Sequence, residues 1–186
     1  TGPFGSLLHK SDYVENAIPI INPSNIIAGR IEPDWNKTVS AEAAIKLASY
    51  TLMPGDLVIG RRGEMGRCAT VLESMEGWLC GTGSFRIRPK DRVSSEFVGR
   101  LLRTPEMTAR LTAIGTGTTM LNLSNRALAG MQFELPGFEE QLRLVVQIDQ
   151  LEKQAGVVCT RIKTKLTDLA VLRQSLLQAA FSGQLS

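Results

Sequence analysis

The sequence predicts an α+β fold: a small mixed domain over residues 1–136, then over 137–186 one long α-helix that needs a second long helix as partner. Three observations carry this reading. Short apolar runs in the first part alternate with turn-forming clusters of Pro, Gly and Asn. After Pro89 the spacing of apolar residues turns helical. From Phe138 to Phe181 there is no proline, and apolar residues recur three or four apart.

Taken in order, Ile18-Pro19-Ile20-Ile21 reads as a buried strand closed by the turn Asn22-Pro23-Ser24-Asn25. Ile26-Ile27 leads to a second turn at Gly29. Ser40 is placed to cap a helix over Ala41 to Ala48. Pro54-Gly55-Asp56 is a turn, and Leu57-Val58-Ile59 is a strand feeding directly into the loop Gly60-Arg61-Arg62-Gly63. Arg67 to Leu72 and Gly83 to Arg88 read as further strands, the second alternating Phe85 and Ile87 with Arg86 and Arg88. Ser94 or Ser95 caps Glu96 to Leu102, and Pro105 opens a helix running to about Ala113. A glycine loop, Gly115-Thr116-Gly117-Thr118-Thr119, follows; Ser124 then caps one short helical turn, and Met131 to Leu135 reads as a last strand.

The final helix lies between the breakers Pro136-Gly137 and Gly183. Ile162, Leu166, Leu169, Leu172 and Leu176 form the clearest part of its stripe. At about 1.5 Å per residue the helix is roughly 65 Å long, too long to lie flat on the preceding domain. Gly156, with Val157, Val158 and Thr160 beside it, is a weak patch costing about 1 kcal/mol at the glycine. Two readings stand: one helix with a soft point, or two helices folded into a hairpin at Gly156.

The chain has 186 residues, 43% of them apolar and 21% charged, the balance of a soluble protein. No apolar run approaches the ~18 residues of a membrane span, and no signal peptide is evident. The abrupt start at Thr1-Gly2-Pro3 without an initiator Met suggests a segment excised from a larger protein. Cys68, Cys80 and Cys159 are odd in number and lack CxxC spacing, so they read as reduced thiols of a cytoplasmic protein.

Net charge is only +3, but Gly60 to Arg103 holds nine Lys/Arg against five acids. A basic block in a near-neutral chain suits an anionic partner on one face, with solvated surface charge as the plain alternative. Catalysis finds little support. His9 is the only histidine, which excludes a multi-histidine metal site. There is no Gly-x-Ser-x-Gly elbow, and Gly60-Arg61-Arg62-Gly63 lacks the Gly-Lys-Ser/Thr of a phosphate loop. Binding fares better. Arg61 and Arg62 sit on a glycine-flanked loop, and arginine forks match phosphate oxygens or the major-groove edge of guanine. Thr116, Thr118 and Thr119, with bare amides at Gly115 and Gly117, suit phosphate contact; a tight crossover without ligand is the alternative. The candidate interface is therefore Arg61, Arg62, Gly63, Arg67, Arg86, Thr116, Gly117, Thr118 and Thr119, with the glycines at positive φ or close approach.

Together these stretches carry a resemblance. Thr1-Gly2-Pro3-Phe4-Gly5-Ser6, Asp12-Tyr13-Val14 and Ile18 to Asn22 resemble the opening of a target-recognition domain in the specificity subunit of type I restriction-modification systems. Gly55-Asp56-Leu57-Val58 with Gly60 to Arg67 resembles that family's central strand and loop, and Gly115-Thr116-Gly117 with Leu121-Asn122-Leu123-Ser124 its late glycine loop. Leu135-Pro136, Glu140-Gln141, Leu176-Leu177 and Ala180 to Leu185 resemble the spacer helix; Gly137 stands where the family usually has a second proline.

The resemblance implies half of a specificity subunit, one recognition domain and one spacer, without catalysis or cofactor of its own. Such a module reads one half of a bipartite double-stranded DNA target and scaffolds methyltransferase subunits and a motor-nuclease restriction subunit. S-adenosylmethionine, magnesium and ATP belong to those partners. Paired spacers run antiparallel as a coiled coil, so the stripe from Ile162 to Leu176 implies a homodimer of this half-length chain. The competing class is a coiled-coil adaptor whose basic face binds an acidic protein.

Overall fold

Residues 1–3, 7–117 and 121–182 are described by the structure, a computed structural model. Phe4 to Ser6, Thr118, Thr119 and the stop signal at Gly183 lie outside the described residues. The chain divides into two units, Thr1–Leu142 and Arg143–Ser186. In chain order the first holds β1 (Tyr13–Val14), β2 (Ile18–Ile21), β3 (Ile26–Ile27), β4 (Arg30–Ile31), β5 (Thr38–Val39) and α1 (Ala41–Lys46). Then come β6 (Leu57–Gly60), β7 (Cys68–Thr70), β8 (Leu79–Cys80), β9 (Ser84–Ile87), α2 (Ser95–Leu102), α3 (Pro105–Ile114) and α4 (Asn125–Ala129). α5 (Phe138–Phe181) starts in the first unit and continues through the second.

Among the described residues the strands form three sheets: β1-β5-β2-β8, the β3-β4 hairpin and β7-β6-β9. Only β2 with β8 is parallel. β6 is the strand around which the unit is built. Leu57 and Ile59 pack with Phe85, Cys68, Val98, Leu102, Met107 and Leu111, while Val58 packs with Ile21, Ile26, Ile31, Leu52 and Ala69. Burial on both faces explains why this strand reads as an unbroken apolar run instead of an alternation. Each large side chain fully buried there contributes about 1.5–3 kcal/mol. A third cluster joins Leu8, Ile20, Val39, Leu47 and Leu79.

Local signals set the helix starts. Ser40, Ser94, Thr104 and Ser124 each accept a hydrogen bond from the backbone N–H three residues on, at 3.2, 3.2, 3.3 and 3.0 Å. Such caps stabilise a helix by about 1 kcal/mol each. α1 ends at Lys46 because Leu47 turns into the core. The expected strand over Met131 to Leu135 does not form. Met131, Phe133 and Leu135 do pack against the core in alternation, but no neighbouring strand offers a ladder. The Gln132 carbonyl instead accepts from the Arg110 guanidinium at 2.6 Å.

Cys68 and Cys80 are buried and unpaired. Burial pushes their thiols up to about 12 and about 11, so they pack as small neutral groups. Cys159 is exposed.

In the second unit α5 runs without a break through Gly156, so the hairpin reading does not hold. The hydroxyls of Thr160, Thr164 and Thr167 donate back to the carbonyls of Gly156, Thr160 and Lys163. Nothing lies within 4 Å of where a Cβ on Gly156 would stand. Gly156→Ala is expected to stabilise the helix by about 1 kcal/mol, read by circular dichroism as a higher thermal midpoint. Ile162, Leu166, Leu169, Leu172 and Leu176 are between 49% and 61% exposed, an apolar stripe with no cover along it. Among the described residues no helix is long and apolar enough to cross a membrane.

Candidate nucleic-acid interface

The strand β6 delivers the loop Gly60 to Gly63, and two backbone contacts fix where it goes. The Arg61 N–H donates to Gly83 O at 2.9 Å, and Arg61 O accepts from the Leu123 N–H at 2.8 Å. The Gly63 N–H then donates to Leu121 O at 3.1 Å, with Gly63 itself at φ +77° and open space around it. Asn122 is the bridge partner of both Arg62 and Thr116. The arginine loop and the Gly115 to Gly117 loop, far apart in sequence, are thereby joined side by side.

Thr116 is exposed on this junction and its hydroxyl donates to Asn122 O at 3.2 Å. Gly117 has φ +116°, as the sequence reading expects. Gly115 does not; at φ −69° its backbone is ordinary, and its need is for space, since a Cβ would press on Thr112 O at 3.2 Å. At Gly66, φ is +83° and a Cβ would collide with the Thr108 hydroxyl, so glycine lets the loop return closely along α3.

The basic block separates into tied and untied cations. Arg88 makes a bidentate pair with Asp56, both bonds 2.7 Å, and Asp56 is 1% exposed and also accepts from the Met53 N–H. That pairing raises the Arg88 pKa, with the Asp56 hydrogen bonds as the leading cause. Arg86 donates to Thr51 O at 2.7 Å and Ser49 O at 3.3 Å, which ties β9 to the segment before β6. Arg67 forks onto Glu64 at 2.9 and 2.7 Å and reaches Pro23 O at 3.4 Å. Arg100 lies 3.8 Å from Glu96, and Arg103 donates to Cys68 O at 3.2 Å.

Arg61 and Arg62 differ. Like Lys90 and Arg92, neither makes an ion pair or side-chain hydrogen bond among the described residues. The Arg61 guanidinium stands 5.3 Å over the Phe85 ring, a cation–π contact. Burial, then the charge of Arg62, lowers the Arg61 pKa from its usual value, which leaves it a cation at any working pH. Arg62 is exposed. Of the residues expected from sequence, the structure brings Arg61, Arg62, Gly63, Thr116 and Gly117 together. Arg67 lies at the return of the same loop and Arg86 is committed to carbonyls. Asn122 and Phe85, which organise the junction, were missed. A lone Asn between Leu121 and Leu123 was the available signal for the first. No group of three or more potential metal ligands occurs among the described residues.

The class so defined is an α+β domain with an arginine-bearing loop junction, followed by a long helix with an uncovered apolar stripe. This chain is similar to the specificity subunits of type I restriction enzymes along nearly its whole length. It is 23% identical over 181 residues to the type I restriction enzyme EcoBI specificity subunit of Escherichia coli, covering 97% of this chain and 38% of the relative. To the StySPI specificity subunit of Salmonella potsdam it is 23% identical over 179 residues, 92% of this chain and 37% of that one. The chain thus spans under two fifths of the length of these curated relatives. No family model matches. Among solved structures, a chain described for complex assembly and conformational transition of the type I R-M system superposes with TM-score 0.70 at 22% identity, covering 94% of this chain and 41% of that one. The HsdS subunit of Thermoanaerobacter tengcongensis gives TM-score 0.66 at 20% identity, covering 87% and 42%. The fold is that of these subunits.

Proposed function

We propose that this chain is a non-catalytic DNA-recognition module that reads one half of a bipartite duplex target in the cytoplasm. Residues 1–136 form the recognition domain and 137–186 the spacer. The spacer pairs antiparallel with that of a second copy, and the assembly carries methyltransferase subunits and a restriction motor-nuclease subunit. Any S-adenosylmethionine, magnesium or ATP is held by those partners. Similarity to specificity subunits over nearly the full chain supports the class.

The observation that carries the DNA-reading role is the contrast within the basic block. Five arginines are committed to carboxylates or carbonyls; of the four cations without such a partner among the described residues, Lys90 and Arg92 lie between β9 and α2, whereas Arg61 and Arg62 lie on the loop that adjoins Thr116 and Gly117. Two untied guanidiniums beside the exposed Thr116 and Gly117 suit a duplex, with base edges or phosphates for the forks; the Gly63, Gly115 and Thr116 amides are already bonded within the fold. Thr118 and Thr119 extend this phosphate-contacting role by their place in the same loop.

Arg61→Ala and Arg62→Ala test it. The full chain, assembled with methyltransferase subunits of its own system, is used to select targets from a random duplex library. Loss of a base-reading arginine is expected to cost about 1–3 kcal/mol and relax one target position, while loss of a phosphate contact weakens all sequences alike. If neither substitution changes affinity or sequence choice, the assignment is wrong.

A further inference from the structure

The loop junction holds an acceptor without a donor beside a donor without an acceptor. Asn122 and Arg62 are bridge partners, and partners across such a bridge present their side chains on one face. The Asn122 backbone is fully used: its N–H donates to Thr116 O at 2.7 Å, and its O accepts from the Thr116 N–H at 3.0 Å. Its carboxamide oxygen is shielded from solvent and has no hydrogen-bond partner among the described residues. The Arg62 guanidinium has none there either. A shielded acceptor left unpaired is unfavourable, and an apolar replacement of similar shape is nearly neutral or stabilising. An asparagine at such a position breaks a local rule in the way functional positions do.

A guanidinium carries five N–H donors in a rigid fork, and a guanine edge takes two of them. The donors left over need an acceptor from the protein. In the free chain, one hydrogen bond to Asn122 is offset by the entropy lost in fixing the arginine side chain. With a base held on the other edge of the fork, that entropy is already spent and the bond forms. We infer that Asn122 is a positioning residue: its carboxamide oxygen accepts from Arg62 and holds the fork against its base pair. This inference rests on the DNA-reading role of Arg62 given above.

A double-mutant cycle tests it, in the full chain with its methyltransferase subunits. Binding is compared between the selected target and a duplex altered at the base pair that Arg62→Ala relaxes. Asn122→Ala is expected to lower discrimination at that base pair by roughly tenfold and to add nothing in the Arg62→Ala background. Its thermal midpoint is expected to stay level or rise, because an unpaired acceptor is removed. Asn122→Asp, which keeps an acceptor oxygen, should retain discrimination. Additive losses in the double variant, relaxation at a different base pair, or a lowered midpoint with discrimination intact would each overturn the positioning role. Relaxation by Arg62→Ala with full discrimination in Asn122→Ala overturns this inference alone. If Arg62→Ala relaxes no position, base reading by Arg62 falls as well.

Discussion

Gln141→Leu is expected to destabilise the first unit by about 2–6 kcal/mol, although leucine has similar bulk and suits a buried helical position. Gln141 is 2% exposed in the first turns of α5. Its amide serves two backbone groups at once. Oε1 accepts from the Ser94 N–H at 2.9 Å, at the start of α2, and Nε2 donates to Pro136 O at 2.8 Å, in the breaker before α5. Neither backbone group has another partner among the hydrogen bonds described. Leucine strands both, and each buried unpaired group costs about 1–3 kcal/mol. Both tryptophans, Trp35 and Trp78, lie in the first unit, so urea unfolding followed by their fluorescence reports on it directly. Gln141→Glu separates amide chemistry from volume: it still accepts from Ser94 but turns an oxygen toward Pro136 O. A loss below about 1 kcal/mol in Gln141→Leu, or full tolerance of Gln141→Glu, removes the amide from this role.

How much of this was legible in the sequence follows from distance along the chain. Ser40, Ser94, Thr104 and Ser124 act on N–H groups three residues away, so their helix starts could be read, or nearly so, from local pattern. β6 was legible because Leu57, Val58 and Ile59 are bounded by Pro54-Gly55-Asp56 and Gly60. β1, β5 and β8 were not, since two-residue strands have no period of their own. β5 exists because Thr38 and Val39 lie between β1 and β2, where the Thr38 hydroxyl donates to Val14 O and accepts from the Ala17 N–H. The strand expected at Met131 to Leu135 failed in the converse way, with the right alternation but no partner. At the site, composition located the basic block and could not sort it. Asp56 holds Arg88 from 32 residues away, and Thr51 O holds Arg86 from 35. The same holds for Gln141, which looked like an ordinary polar residue near a helix start.

The largest expected effect belongs to the second unit: Leu169→Asp converts the proposed two-fold dimer into monomers and abolishes binding to a split target. The stripe of Ile162, Leu166, Leu169, Leu172 and Leu176 is half exposed in the single chain. A two-fold interface buries the same patch from both copies, so each leucine counts twice. At about 1.5–3 kcal/mol per fully buried side chain, covering the exposed half of five residues on each of two chains yields roughly 8–16 kcal/mol, enough to offset an association cost of about 4–15 kcal/mol. One Leu169→Asp removes two of those side chains, roughly 2–4 kcal/mol for the area still exposed, before the desolvation of two carboxylates is added. That alone is about one to three decades in Kd. Light scattering of the full chain at tens of micromolar should find a dimer for the parent and a monomer for the variant. Cys159 supplies an independent reading of register. It is exposed and lies at the middle of Phe138–Phe181, so antiparallel pairing centred on the helix brings two copies of it near the axis. A short bis-maleimide should then join two chains through Cys159, and fail to do so in Leu169→Asp. A parent chain that remains monomeric at that concentration, or a variant that still dimerises and cross-links, would sink the antiparallel pairing.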